Sequence, residues 1–119
     1  MKKRKSDNEN RINVAAAFKA LGNENRLRVF EIIRGGPCCG CMTREAPRPD
    51  DIPDAAVCVC EILAQVNVGA PTVSHHLKEL RNAGLVDVYH RGQWAYYAVR
   101  PGVAEALAGY FQPENISAK

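Results

Sequence analysis

The chain has 119 residues, of which 46% are hydrophobic and 24% charged, and its formal net charge is +3. The length allows one small domain with a single core, and the composition excludes a disordered protein. The mild positive charge permits a nucleic-acid partner without requiring one. The sequence has no run of about 18 apolar residues, so it predicts no membrane-spanning helix and no membrane partner.

Both ends of the chain are polar. Residues 1–10 combine a basic start with polar residues and predict a flexible tail, and residues 113–119 predict a second one. No apolar stretch follows the basic residues, as a signal peptide would require, so we expect a cytoplasmic protein. The folded domain is expected to cover residues 11–112.

Two helices are predicted at the start of this domain. The apolar residues of the first helix recur at helical spacing and are Val14, Phe18 and Leu21. Gly22 ends the first helix, and Asn23 is a favourable N-cap for the second. The apolar face of the second helix is expected to consist of Leu27, Phe30 and Ile33. Gly35-Gly36-Pro37 ends this helix.

A loop rich in proline and aspartate follows and covers residues 37–54. Its prolines are incompatible with a helix, and so long a loop in a small domain is typically functional or disordered. Asp54 is expected to cap a short helix after the loop. The apolar residues of that helix are Val57, Ile62, Leu63 and Val66.

The remaining elements predict the fold class. Pro71 lies in the first turn of a helix that runs to Asn82 and stops at a glycine. Residues 85–90 and 94–99 are rich in valine and tyrosine and predict a β-hairpin, and a last apolar helix covers residues 103–111. The expected fold is mainly α with a small β-hairpin (α+β), in the order of a winged helix-turn-helix.

The helix after Pro71 has an apolar and a polar face when each residue advances by about 100°. The apolar face consists of Val73, Leu77 and Leu80. The polar face consists of Ser74, His75, Lys78 and Asn82. These residue types bind phosphates and base edges in a major groove, although an ordinary solvated face would look the same. Arg91 and Gln93, beside His90, lie at the hairpin tip, where they can reach the DNA backbone or minor groove. His76 is expected to be structural.

Four segments carry a resemblance to a known family: ALGNENRLRVFEIIRGG, CVCEIL, PTVSHHLKELRNAGLV and GQWAYYAV. In this order, over roughly residues 12–111, they resemble the ArsR/SmtB family of metalloregulatory transcriptional repressors. The resemblance implies a homodimer that binds an inverted-repeat operator in double-stranded DNA and leaves it when an inducer binds. It also implies that the first and last helices form the dimer interface, which suits the apolar Val103, Leu107, Tyr110 and Phe111.

The predicted DNA contacts combine this resemblance with the residue chemistry. Thr72, Ser74 and His75 are expected to read base edges or to position the helix. Lys78, Arg81 and Arg91 are expected to supply salt-dependent affinity for phosphates, with Gln93 beside them at the hairpin tip.

All five cysteines lie between residues 37 and 63. In a reducing compartment such a cluster is more often a metal or redox site than a disulfide framework. The resemblance implies that Cys58 and Cys60, in a Cys-Val-Cys-Glu motif, bind a thiophilic inducer. Related arsenic repressors carry a third cysteine where this chain has Leu63. We therefore expect at least one loop cysteine to complete the metal site. The loop cysteines are Cys38, Cys39 and Cys41.

The number of sulfurs bears on the inducer, because three thiolates suit arsenite or antimonite and four suit cadmium or lead. No cofactor is expected for repression itself. Residues i and i+2 of an ideal helix point about 200° apart, so Cys58 and Cys60 are expected to share an ion only if the first turn of the helix unwinds or reorients. A helix N-terminus also favours thiolate over thiol, which would make Cys58 reactive.

Other interpretations remain open. The cysteines could hold a structural zinc, or form a redox switch through a Cys38–Cys39 or a loop-to-helix disulfide. The last helix offers only Glu105 as a ligand, which argues against the family's other common zinc, nickel or cobalt site. An enzyme is not expected, because thiol-reductase and glycine-rich motifs are missing and Ser74-His75 lacks a third, orienting residue. A metal-free module that binds protein is a third possibility.

Overall fold

A computed structural model describes residues 12–37 and 51–113 of the chain. In this part, the elements follow the order α1, α2, β1, α3, α4, β2, β3, α5. The helices are α1 (Val14–Leu21), α2 (Glu24–Gly35), α3 (Val59–Ala64), α4 (Ala70–Asn82) and α5 (Val103–Tyr110). The strands are β1 (Val57–Cys58), β2 (Val86–Arg91) and β3 (Trp94–Val99). Most of the loop expected over residues 37–54, and nearly all of both expected tails, lie outside the described residues.

Asparagine side chains begin the first two helices. Asn13 accepts a hydrogen bond from the backbone N–H of Ala16 at 3.0 Å, and Asn23 accepts one from Arg26 at 2.9 Å. Each bond satisfies a backbone donor that has no partner within its own helix. The predicted N-cap at Asn23 is therefore confirmed, and both helices end at the expected glycines.

The buried face of α2 differs from the predicted one. Val29, Ile32 and Ile33 are buried, whereas Leu27 is among the exposed large hydrophobic residues. Leu27 lies about 160° around the helix from Val29, because each residue advances by about 100°. The expectation for Leu27 is wrong, while Phe30 packs partly buried against the core as expected.

The chain after the proline-rich loop forms a strand before it forms a helix. Val57 and Cys58 pair with β3, and α3 begins only at Val59, with Cys58 as its N-cap. The predicted helix through Val57 with a cap at Asp54 is therefore wrong. A buried, β-branched Val57 satisfies its backbone in the sheet, and two residues are too few to give a sequence signal for a strand.

The three strands form an antiparallel sheet in the order β1-β3-β2. β2 and β3 form the predicted hairpin, with Arg91 opposite Trp94 at its tip. Gly92, in the two-residue turn, has a φ of +62°, which favours glycine. β1 adds to the other edge of β3 and so connects the start of α3 to the hairpin.

Buried apolar residues form two clusters. The main core joins the helices to the sheet, and its largest members include Val29, Ile33, Ile62, Val73, Leu77, Leu80 and Leu85. The second cluster consists of Ile52, Ala56, Cys58, Tyr96 and Ala98, with Cys60, Tyr89 and Trp94 packed against it. We call this second group the thiol cluster, because it contains both described cysteines. None of the helices in the described part of the chain is long and apolar enough to span a bilayer.

Candidate DNA-binding surface and thiol site

α4 presents its predicted polar face to solvent. Gly69 precedes the helix, Pro71 lies in its first turn, and Gly84, with a φ of +81°, follows its end. The residues that anchor it in the core are Val73, Leu77 and Leu80, all buried as predicted. The exposed residues on the opposite side are Thr72, Ser74, His75, Lys78, Arg81 and Asn82. These six side chains can meet a ligand without any loss of core packing.

His76 is buried on α4, as predicted for a structural histidine. Its Nδ1 accepts a hydrogen bond from Nε of Arg26 at 3.4 Å, and Arg26 also donates to the backbone carbonyl of Ala20 at 3.3 Å. Nε2 of His76 has no hydrogen-bond partner among the described residues. Burial, then the charges of Arg26 and His75, lower the pKa of His76. A neutral imidazole therefore joins α4 to α1 and α2 through Arg26.

The hairpin tip carries the other residues predicted to contact DNA. Arg91 and Gln93 are exposed there, and so is His90. Nη2 of Arg91 donates to Oδ2 of Asp51 and forms an ion pair with it. The hydrogen bond from Arg91 lowers the pKa of Asp51, and the same bond raises the pKa of Arg91. Sequence reasoning missed this pair, because no local pattern signals a contact between residues 40 positions apart.

The thiols of Cys58 and Cys60 lie side by side. Their Sγ atoms are 3.0 Å apart, and Cys60 donates to Cys58. Cys58 has an extended backbone with a ψ of 143°, because it ends β1 and caps α3. The expected divergence of about 200° holds only for two residues inside a helix. The premise that both cysteines lie inside a helix is therefore wrong: the two thiols meet at the start of α3.

The thiol pair is largely shielded from water. Cys58 is 1% exposed and lies opposite Tyr96 on β3, and Cys60 is partly buried. Burial, together with the hydrogen bond to Cys58, raises the pKa of Cys60 to about 12. Cys60 therefore keeps its proton at neutral pH.

Glu61 is a buried carboxylate for which no role was predicted beyond its place in the Cys-Val-Cys-Glu motif. It is fully buried, and neither carboxylate oxygen has a hydrogen-bond partner among the described residues. Burying such a group is costly unless it is paired. A signal was available, because Glu61 is the one acidic residue in the apolar run from Ala55 to Ala64.

The described residues offer a soft ion two sulfurs. The other three expected ligands, Cys38, Cys39 and Cys41, lie outside the described residues. Within residues 12–37 and 51–113, no group of three or more histidine, cysteine, aspartate or glutamate side chains is arranged to hold a metal ion. The chemistry of Cys58 and Cys60 fits a thiophilic ion, but the pair is one sulfur short of the three that arsenite takes. Glu105 lies exposed on α5.

An aromatic patch joins the first and last described helices. The ring of Phe18 lies 5.6 Å from that of Tyr110 and 5.5 Å from that of Phe111, measured between centroids. Tyr110 is 61% exposed and Phe111 is 70% exposed. Such a contiguous apolar surface is typical of a protein interface. Leu107 is partly buried and Val103 is buried, so these two residues of the expected dimer interface pack within the chain.

A helix-turn-helix followed by a hairpin, with a polar face on its second helix, defines the protein as a winged helix-turn-helix. The sequence profile of the family described as "Bacterial regulatory protein, arsR family" matches residues 54–88. This segment runs from the start of the strand-helix junction to the beginning of the hairpin.

Curated relatives extend the match. The arsenic resistance transcriptional regulator ArsR2 of Pseudomonas putida is 40% identical over 84 residues, which cover 71% of this chain and 57% of that protein. The cadmium resistance transcriptional regulatory protein CadC of Listeria innocua is 28% identical over 87 residues, covering 73% and 58%. The uncharacterised HTH-type regulator MJ1325 of Methanocaldococcus jannaschii is 28% identical over 85 residues, covering 71% and 75%. The chain thus spans little more than half of the arsenic and cadmium regulators.

Solved structures show the same fold. An ArsR-like transcriptional regulator from Rhodococcus sp. RHA1 has a TM-score of 0.60 at 19% identity, covering 87% of this chain and 78% of that one. HlyU from Vibrio cholerae has a TM-score of 0.58 at 21% identity, covering 82% and 85%. The resemblance seen in the sequence is confirmed: the chain is similar to transcriptional regulators of the ArsR family.

Proposed function

We propose that the protein is a transcriptional repressor that binds DNA and leaves it when Cys58 and Cys60 bind a thiophilic ion. The observation that carries the proposal is the 3.0 Å separation of the two Sγ atoms on the element that leads into α4. Arsenite or antimonite is the proposed inducer, with a third thiolate from the loop. The candidates for this third ligand remain Cys38, Cys39 and Cys41.

The proposed DNA-binding surface consists of the exposed face of α4 and the hairpin tip. Thr72, Ser74 and His75 would contact base edges or position the helix in the major groove. The cations Lys78, Arg81 and Arg91 would contact phosphates, with Gln93 beside Arg91 at the tip. Their exposure and the buried anchors on the opposite side of α4 support this assignment.

We propose a homodimer formed through α1 and α5, and an inverted-repeat operator with half-sites about one helical turn apart. The exposed rings of Tyr110 and Phe111, next to Phe18, support this interface, because a dimer would remove this aromatic surface from water. The proposal also places the protein in the cytoplasm, with no cofactor for repression and no enzymatic activity.

The sheet supplies a route from the thiols to the DNA. Cys58 pairs with Tyr96 on β3, and β3 is one of the two hairpin strands. An ion bound by Cys58, Cys60 and a third ligand would hold β1 against β3 and so restrict the movement of the hairpin. Coupling between two such sites is typically about 1–3 kcal/mol, and DNA must weaken inducer binding by the same factor.

A cadmium- or lead-responsive repressor is the second candidate. It is favoured by the 28% identity to the cadmium regulator CadC, and it would require four sulfurs rather than three. A structural zinc or a cysteine redox switch would use the same thiols without making arsenite the inducer. X-ray absorption on the ion-loaded protein separates these alternatives, because it gives the ion, the number of sulfur neighbours and their distances.

A DNA-binding titration tests the proposal. The protein first selects a duplex from a random pool, and its affinity is then measured by gel shift with and without arsenite, antimonite, cadmium or lead. Cys58→Ser and Cys60→Ser should each abolish release while DNA binding is kept. At least one of Cys38→Ser, Cys39→Ser and Cys41→Ser should do the same.

Two results would contradict the proposal. If all four ions leave the complex intact, the protein is not a sensor of thiophilic ions. If the three loop substitutions made together leave the response unaltered, the loop cysteines are not ligands. Failure to bind any duplex at low salt would instead favour a module that binds protein.

A further inference from the structure

Arg91, which the proposed function assigns to a phosphate contact, already has an anionic partner. Its Nη2 donates to Oδ2 of Asp51, and the two side chains are 43% and 63% exposed. Carboxylate and phosphate both bind the guanidinium group through the same planar set of N–H donors. Arg91 cannot offer those donors fully to both, so Asp51 and a DNA phosphate would compete for it.

The backbone on each side holds this ion pair in place. Ile52, directly after Asp51, is 4% exposed and belongs to the thiol cluster. Trp94, directly opposite Arg91 across the hairpin, packs against the same cluster. The two charged residues are therefore attached to one buried cluster, and their meeting at the hairpin tip follows from how that cluster packs.

We propose that Asp51 is an internal competitor of the DNA backbone for Arg91, an autoinhibitory contact at the hairpin tip. The inference rests on the proposed function, because it needs Arg91 to bind DNA. Operator binding must separate Arg91 from Asp51, so part of the attraction between Arg91 and the phosphate is offset. The lowered pKa of Asp51 agrees with the pairing, since the carboxylate stays ionised beside the guanidinium.

The same contact suggests how the thiols act on DNA affinity. The ion pair and the thiol pair share the cluster of Ile52 and Cys58. An ion held by Cys58 and Cys60 would make that cluster more rigid and keep Asp51 against Arg91. Ion binding would therefore lower the affinity for DNA, which is the response expected of an inducer.

The test compares Asp51→Asn with Asp54→Asn. Asp54 is exposed and lies in the same segment, but it forms no ion pair within the described residues, so it reports the general effect of removing one negative charge. Affinity for the selected duplex is measured by fluorescence anisotropy at several salt concentrations. Asp51→Asn should bind roughly two- to fivefold more tightly than Asp54→Asn at low salt, the size of an exposed ion pair. Its salt slope should steepen by up to about 0.9, the contribution of one phosphate contact.

A double-mutant cycle assigns the effect to Arg91. In an Arg91→Gln background, Asp51→Asn and Asp54→Asn should change the affinity equally. The proposal is overturned if Asp51→Asn and Asp54→Asn bind the duplex with equal affinity in the wild-type background. It is also overturned if Asp51→Asn still binds more tightly than Asp54→Asn when Arg91 is replaced by glutamine. Both of those results require a wild-type protein that binds DNA. A wild-type protein that binds no duplex overturns the proposed function, and this inference with it.

Discussion

α4 and the β1–α3 junction contrast in where they place their polar groups. α4 directs its polar side chains outward and keeps Val73, Leu77 and Leu80 in the main core. The junction instead buries polar groups, since Cys58 is 1% exposed and Glu61 is fully buried. The residues proposed to contact DNA therefore take no part in core packing. The cysteines proposed to bind an ion, in contrast, lie within a packed cluster.

This difference predicts how each region responds to substitution. Exposed side chains away from caps and networks usually change stability by no more than about 0.5 kcal/mol. A buried group affects both the fold and its own chemistry, so its substitution changes both together. Substitutions on the exposed face of α4 are therefore expected to leave the fold intact, whereas substitutions of the buried Cys58 or Glu61 are expected to change its stability.

The largest expected effect is at the anchor of α4. Leu80→Ala should lower the free energy of unfolding by about 2–5 kcal/mol, because Leu80 is fully buried and a cavity would remain. Lys78→Ala, two residues away and exposed, is the matched control and should change it by less than about 0.5 kcal/mol. Urea denaturation measures both variants. Equal losses of unfolding free energy in the two variants would contradict the conclusion that the DNA-contacting residues take no part in core packing.

A change of opposite sign is expected at the junction. Glu61→Met should raise the free energy of unfolding by about 1–3 kcal/mol, because it replaces a buried carboxylate by an apolar side chain of similar volume. Glu31→Met, on the exposed side of α2, is the control and should be nearly neutral. Urea denaturation again gives the comparison. A loss of stability in Glu61→Met would mean that Glu61 has a partner outside the described residues.

The helices near α4 could be predicted well because their signals are local. The cap at Asn23, Pro71 in a first turn and the apolar spacing of Val73, Leu77 and Leu80 each operate within a few residues. The hairpin followed from two strands around a short turn with Gly92. A local signal gives the position of an element and the face that it buries.

The β1–α3 junction could not be predicted in the same way. A two-residue strand has no periodicity, and only its pairing with β3 shows that Cys58 is extended. The geometry of the thiols depends on that conformation, so the predicted divergence of the two side chains, which assumed a helix at Cys58, was wrong. The Asp51–Arg91 pair was missed for the same reason, since it depends on how the thiol cluster folds.

The smallest effect is expected at His76, a polar residue that α4 buries instead of exposing. Burial holds the pKa of His76 below its ordinary value of 6.5, so the folded protein binds this proton more weakly than the unfolded chain does. The unfolded state therefore takes up more protons as the pH falls through that value, and the free energy of unfolding decreases. His76→Gln keeps an acceptor for Arg26 but does not titrate, so its stability should fall less between pH 7 and pH 5.

Urea denaturation at both pH values measures this difference, with His90→Gln at the exposed hairpin tip as the control. The control shows what replacing an exposed histidine by glutamine does to the free energy of unfolding at each pH. If His76→Gln shows the same loss as the wild type, the histidine does not titrate between α4 and α2. In that case the link through Arg26 is a packing contact whose strength does not depend on pH.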